Sequence, residues 1–191
     1  LALIDAPKAE APRVLAAGPW GTLWHAPDTT FEAPRAEVRL KLEGTASADA
    51  AGQVRAALWT ALLARRLNSY AYPAQLAGLG FALSPTDNGV LIRASGFSDR
   101  LPELLDRVLA SLKDPSFTAE EFELERAALL RRLQNERQDR PYQQTMRALQ
   151  RLLEHGTYPL EARLAAADAV TLKSVLSDFA EALLAAPKMT G

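Results

Sequence analysis

The chain holds two histidines, His25 and His155, and no cysteine. Zinc hydrolysis needs imidazole, thiolate or carboxylate donors at short spacing, with a carboxylate to act as base. Neither histidine has a second one within a helical turn or two. They are read as a strand histidine at His25 and a loop histidine at His155, beside Gly156. Without cysteine there is no disulfide, thiolate metal site or thiol nucleophile. No G-x-S-x-G elbow singles out a serine, and no G-x-G-x-x-G or G-x-x-x-x-G-K-[ST] loop offers a phosphate cradle. Gly78 and Gly80 are read instead as a helix stop entering a strand.

The charged residues give equally plain readings. Glu120 and Glu121 follow Thr118, and this Thr-x-x-Glu spacing is a helix capping box rather than a catalytic carboxylate pair. Seven arginines (Arg126, Arg131, Arg132, Arg137, Arg140, Arg147 and Arg151) invite comparison with a basic binding surface. Glu123, Glu125, Glu136, Asp139 and Glu154 are interleaved with them, which predicts a solvated, salt-bridged helical face. Tyr142 alone is a poor stacking platform for bases.

The elements that position these residues are marked by periodicity. Residues 1–19 carry Pro7, Pro12 and Pro19 and no periodic apolar pattern, and are read as a linker. Residues 20–25 read as a short strand. Residues 35–43 alternate, with Val38, Leu40 and Leu42 on one side and Glu37, Arg39, Lys41 and Glu43 on the other. Residues 49–68 carry Val54, Leu58 and Leu62 at helical spacing, widened by Trp59, Leu63 and Leu67, which predicts a long helix packed on more than one side. A break near Pro73 and a stop at Gly78 follow. Residues 79–83 and 90–95 read as a hairpin whose buried face carries Phe81, Leu83, Val90 and Ile92. Helices are expected over 99–113, from 118 onward, and over 142–154, 160–167 and 172–184. Strands early and helices late predict an α+β fold, an antiparallel-rich sheet packed by several helices. A single domain is expected over residues 20–186, with 187–191 as a tail.

Composition narrows the class. At 191 residues and a net charge of −1, the chain has no global field favouring nucleic acid or an anionic membrane. No run of about 18 apolar residues spans a bilayer. The chain begins with Leu1 rather than methionine, which is read as the mark of a processed or excised piece.

Three blocks, in order, resemble the third domain of insulinase/pitrilysin-type peptidases. The first is LWHAPDTTFEAPRAEVRLKL, residues 23–42. The second spans residues 61–105, where Asn68, Tyr70, Ala71, Tyr72, Ala74, Leu76, Ala77, Gly78 and Leu79 match N-x-Y-A-Y-x-A-x-L-A-G-L, and Gly89, Gly96 and Phe97 continue the likeness. The third is FTAEEFELERAALLRRLQN with Pro141. The resemblance covers about residues 13–185. It implies a processing-peptidase-like metallohydrolase fold, one of four such domains closing around a peptide, with zinc held by the H-x-x-E-H motif of the first domain. In that catalytic copy the motif lies on the long helix after the second strand. Here residues 50–86 contain no His, Asp or Glu. No catalytic, cofactor-binding or metal-ligating residue is therefore transferred to this chain, and Tyr70, Tyr72 and Tyr142 are read as packing residues. The expected partners are other domains of the same polypeptide and a peptide substrate in the parent chamber, with zinc in the parent only. A stand-alone scaffold or peptide-binding module of the same fold is the alternative. Many alanines and more Arg than Lys, taken with the likeness, suggest a bacterial, periplasmic parent. The closing APKMTG lacks the glycine-asparagine usual in the family before its fourth domain.

Overall fold

The computed structural model describes residues 10–28, 33–114, 116–154, 156–185 and 188–190. Its strands are β1 (Arg13–Gly18), β2 (Gly21–His25), β3 (Arg35–Glu43), β4 (Gly80–Thr86), β5 (Gly89–Phe97) and β6 (Lys188–Thr190). They form one sheet in the order β1-β2-β6-β3-β5-β4. Neighbours are antiparallel, apart from β2 and β6. The helices are α1 (Ala50–Leu76), α2 (Leu101–Leu112), α3 (Ala119–Asn135), α4 (Pro141–Leu153) and α5 (Leu160–Ala169). A π-helical stretch, Ser174–Glu181, runs into the short α6, Ala182–Ala185. This is the α+β class that the element order implied.

Alternation gives the sheet a dry face and a wet one. Val38 and Leu40 pack against the core and Leu42 is buried, while Glu37 and Arg39 are exposed. Val90, Ile92 and Ala94 of β5 are buried on the same side. Phe81 and Leu83 of β4 join them half-buried, as the hairpin pattern required. The hairpin turn is tighter than expected, because Ser84, Pro85 and Thr86 belong to β4 and only Asp87 and Asn88 turn. Pro85 is compatible with β4 because β4 is an edge strand with a side that needs no ladder donor.

Helix α1 is the centre of the domain. The Asp49 side chain accepts from Gly52 N–H and caps its first turn. Gly52 itself must be glycine, since a Cβ there would lie 2.3 Å from the carbonyl oxygen of Ala46, in the 3-10 turn Thr45–Ser47 that abuts the helix. Around α1 lie β4, α2, α3, α5 and the π-helical stretch. Trp59 is buried against Phe179, with ring centroids 5.7 Å apart at an interplanar angle of 64°, an edge-to-face pair.

Three expectations change. The break near Pro73 does not occur, and α1 runs unbroken to Leu76. Pro73 sits in its last turns, where the donor it lacks leaves the carbonyl of exposed Ser69 to water. Gly78, at φ 74°, then ends the helical path as expected. Residues 13–18, read as part of a linker, form β1, paired with β2 across the Pro19–Trp20 turn and bulged between Val14 and Ala16. Pro12 and Pro19 bound this strand rather than prevent it. Lys188–Thr190, read as tail, is a strand inside the sheet. Three residues are too few to show a period, and their partners are distant in sequence.

Replacing Trp59 by Ala should lower stability by about 3–5 kcal/mol. Replacing Leu152, 83% exposed, by Ala should stay within about 0.5 kcal/mol. Urea unfolding of the two variants checks the contrast; equal effects would contradict the burial described.

Candidate functional site

A cleft of about 690 Å³ opens above the first turns of α1. Its floor is apolar, with Val54 and Ala57 from α1 and Leu129 and Leu133 from α3. Gln53, Asp87, Arg132, Glu136, Glu154 and Arg163 form the polar rim. Gln53 donates its amide to the carbonyl of Gly156 and so ties the segment after α4 to the helix.

Two clamps hold the second wall, α3, in place. Its start is fixed by the predicted capping box: Glu121 accepts from Thr118 N–H at 2.8 Å and Thr118 Oγ1 accepts from Glu121 N–H at 3.1 Å. The bond from Thr118 N–H holds the Glu121 carboxyl below its usual range. Further along, Arg126 donates to the carbonyls of Ala167 at 2.8 Å and Asp168 at 2.6 Å, in the last turn of α5. A guanidinium at a helix C-terminus meets both orphan acceptors and the negative end of the dipole.

The rim is largely self-neutralised. Arg163 grips Glu136 with two bonds, at 2.6 and 3.2 Å. Lys41 lies 2.9 Å from Glu43 and 3.8 Å from Asp87. Its bond to Glu43 lowers that carboxyl below the usual range, helped by the Asn88 amide, and raises Lys41 in return. Arg132 is exposed and makes no ion pair among the described residues.

Among the described residues, α1 offers this cleft no zinc ligand. Gln53, Val54 and Ala57 are what α1 presents to it, and none is a zinc donor of the usual kind. Among the described residues no group of three or more His, Cys, Asp or Glu side chains is placed to hold a metal ion. His25 ends β2, exposed and outside the cleft lining. His155 lies outside the described residues.

The tyrosines separate. Tyr70 is half-buried and packs under Arg107, whose guanidinium carbon stands 4.6 Å from the ring centre. Tyr72 and Tyr142 were expected to pack, but they are 68% and 61% exposed. Tyr72 leaves the last turns of α1 on the outer side, and Tyr142 opens α4. The arginine series carries ion pairs with the interleaved acids, Arg126 to Glu123 and Arg147 to Asp139, but Arg126 is half-buried as a clamp rather than fully solvated. What the sequence reading missed is the outer face of α4. Tyr142, Met146, Leu149 and Leu153 follow at helical spacing and are all exposed. The spacing was visible; the missing inner partner was not.

The family model described as "Middle or third domain of peptidase_M16" matches residues 2–166. The chain is 35% identical over 133 residues to a Schizosaccharomyces pombe protein whose description names a zinc protease, covering 69% of this chain and 13% of that protein. It is 33% identical over 163 residues to "Insulin-degrading enzyme-like 1, peroxisomal" of Arabidopsis thaliana, covering 83% and 17%. In fold it resembles the crystal structure of pitrilysin, with a TM-score of 0.84 at 23% identity, over 96% of this chain and 20% of that one. The chain thus spans less than a fifth of the length of these two curated relatives.

The Lys41–Glu43 pair beside the rim carries a pH signature. A carboxyl held low in the folded state but titrating near 4.5 when unfolded adds stability above that value. The contribution is lost as the pH falls through the lowered folded value. Glu43→Gln should therefore weaken the acid dependence of the urea midpoint between about pH 6 and pH 3. An unchanged acid limb would show that the pair contributes nothing.

Proposed function

The chain belongs to the peptidase_M16 family, as its middle or third domain, and on that premise we propose that it is a non-catalytic structural domain forming part of a substrate chamber. The parent protein is a metalloendopeptidase, with its zinc and catalytic residues on another domain. The observation that carries this reading is the composition of α1. A peptide-hydrolysing zinc centre needs clustered donors and a carboxylate base on a rigid element. Here the helix turns beneath the cleft offer Val54 and Ala57, and residues 50–86 contain no His, Asp or Glu at all.

Such a domain contributes shape and cohesion. The exposed stripe Tyr142, Met146, Leu149 and Leu153 is an apolar face left uncovered by the described residues, which suits packing against a neighbouring domain of the same polypeptide. The cleft, apolar below and charged at its rim, adds relief to the surface that a peptide would meet.

Purified chain incubated with zinc and desalted should retain far less than one ion per molecule and should not cleave a fluorogenic peptide. One tightly held zinc per chain, or turnover by this chain alone, would overturn the proposal. In the full-length protein, Leu149→Glu with Leu153→Glu should loosen the domain packing, read as faster limited proteolysis between domains. Unchanged proteolysis would remove α4 from the interface.

A further inference from the structure

The middle of the sheet is only partly filled. Strand β3 pairs with β5 along all nine of its residues, from Arg35↔Phe97 to Glu43↔Gly89. On its other side it meets β6 only at Lys41, Leu42 and Glu43. Strand β2 meets β6 only at Gly21 and Thr22. Beyond Thr190, then, β2 and β3 continue with no strand between them among the described residues, a gap where one more would run.

The phase of the ladder shows which hydrogen-bonding groups of β3 turn toward this gap. Gly44 N–H donates to Asn88 O at 2.8 Å and Ser98 N–H to Pro34 O at 2.9 Å, at the two ends of the β3–β5 pairing. Even-numbered residues of β3 therefore bond β5, and odd-numbered ones turn their N–H and C=O groups the other way. Lys41 and Glu43 find β6 there, opposite Thr190 and Lys188. Glu37 and Arg39 face the gap, with no strand opposite them among the described residues.

The mechanics of the sheet point the same way. Among the described residues, the β1–β2 hairpin joins the rest of the sheet through β6 alone. Yet that hairpin carries Val14, Trp20 and Trp24, each more than 40% exposed. A three-residue strand is a slender tether for so much apolar surface.

We infer that the gap between β2 and β3 is a docking slot for an extended segment of the full-length polypeptide, which continues β6 in its own direction. The inference rests on the reading that the chain is one domain of a longer protein. The occupant is specified by direction and register. β6 already runs antiparallel to β3 and parallel to β2, and its C-terminal end points into the slot. A separate peptide would have to abut that end. Because Lys188 lies opposite Glu43 and Thr190 opposite Lys41, a strand continued in this register would place its residues opposite Arg39, Val38 and Glu37 in turn. Cross-strand partners share a face. The segment should therefore read polar, apolar, polar, with the apolar residue beside Val38 on the helix side of the sheet.

Hydrogen exchange on the full-length protein tests this. The amides of Glu37 and Arg39 should be protected to within about tenfold of those of Lys41 and Glu43, with no added peptide. Fast exchange at Glu37 and Arg39 alone would overturn the inference, leaving the slot open. Protection that appears only when a peptide substrate is added would overturn it too, in favour of an occupant in trans. The mass of the protein isolated from its source tests the underlying reading separately, since a mass equal to this chain's would remove the longer polypeptide whatever the exchange rates.

Discussion

Helix α1 is enclosed, and that enclosure governs the rest of the domain. It has strand β4 on one side, helices α2, α3 and α5 around it, and the π-helical stretch behind Trp59. A charge placed at its centre would lose its water, which is far more costly than any single packing contact is favourable. The helix is accordingly written in Ala, Leu, Val and Trp, with Ala56, Leu58, Trp59, Leu62 and Leu63 almost fully buried. Its charges are arginines, and toward its C-terminal half two of them run outward. Arg65 reaches Glu125 at 3.3 Å, and Arg66 reaches Asp114 at 3.1 Å while lying over Phe117. A metal site can be buried in a helix of this kind only when imidazole and carboxylate ligands replace the lost water together. Without them, the same position becomes ordinary core.

The outer layer is held by guanidinium groups that find backbone carbonyls. Arg126 ties α3 to the last turn of α5, and Arg66 ties α1 to the connection after α2 through the carbonyl of Asp114 at 2.6 Å. Arg163 secures α5 to the turn after α3 by its fork on Glu136. Planar, always-charged heads suit this work better than lysine would, because several fixed donors can be met at once. Much of the chain's arginine thus belongs to architecture, and only part of it faces solvent.

What was legible beforehand follows from where the information lies. The alternation in Val38, Leu40 and Leu42, the stripe along α1 and the Thr118 capping box are local patterns, and each appears at its expected place. The apolar residue Val54 in the cleft floor was readable too, as part of the stripe along α1. The rim of the cleft was not, because Asp87, Glu136 and Arg163 come from three segments that only the tertiary fold brings together. β1 was hidden by the prolines at both its ends, and β6 by its length. Tyr72 and Tyr142 mark a different limit: with no catalytic role transferred to them they were read as packing residues, yet both are exposed.

The three tryptophans are distributed in a way that has a spectroscopic consequence. Trp59 is sealed in the core against Phe179, whereas Trp20 and Trp24 lie half in water on the first hairpin. Indole emission moves to shorter wavelength in an apolar cage and to longer wavelength in solvent. The protein's intrinsic fluorescence is therefore a superposition of two reporters. Its blue edge follows the integrity of the helical interior, and its red edge follows whether the hairpin is covered by anything else. Quenching by a small soluble quencher would divide the two populations without any label being attached.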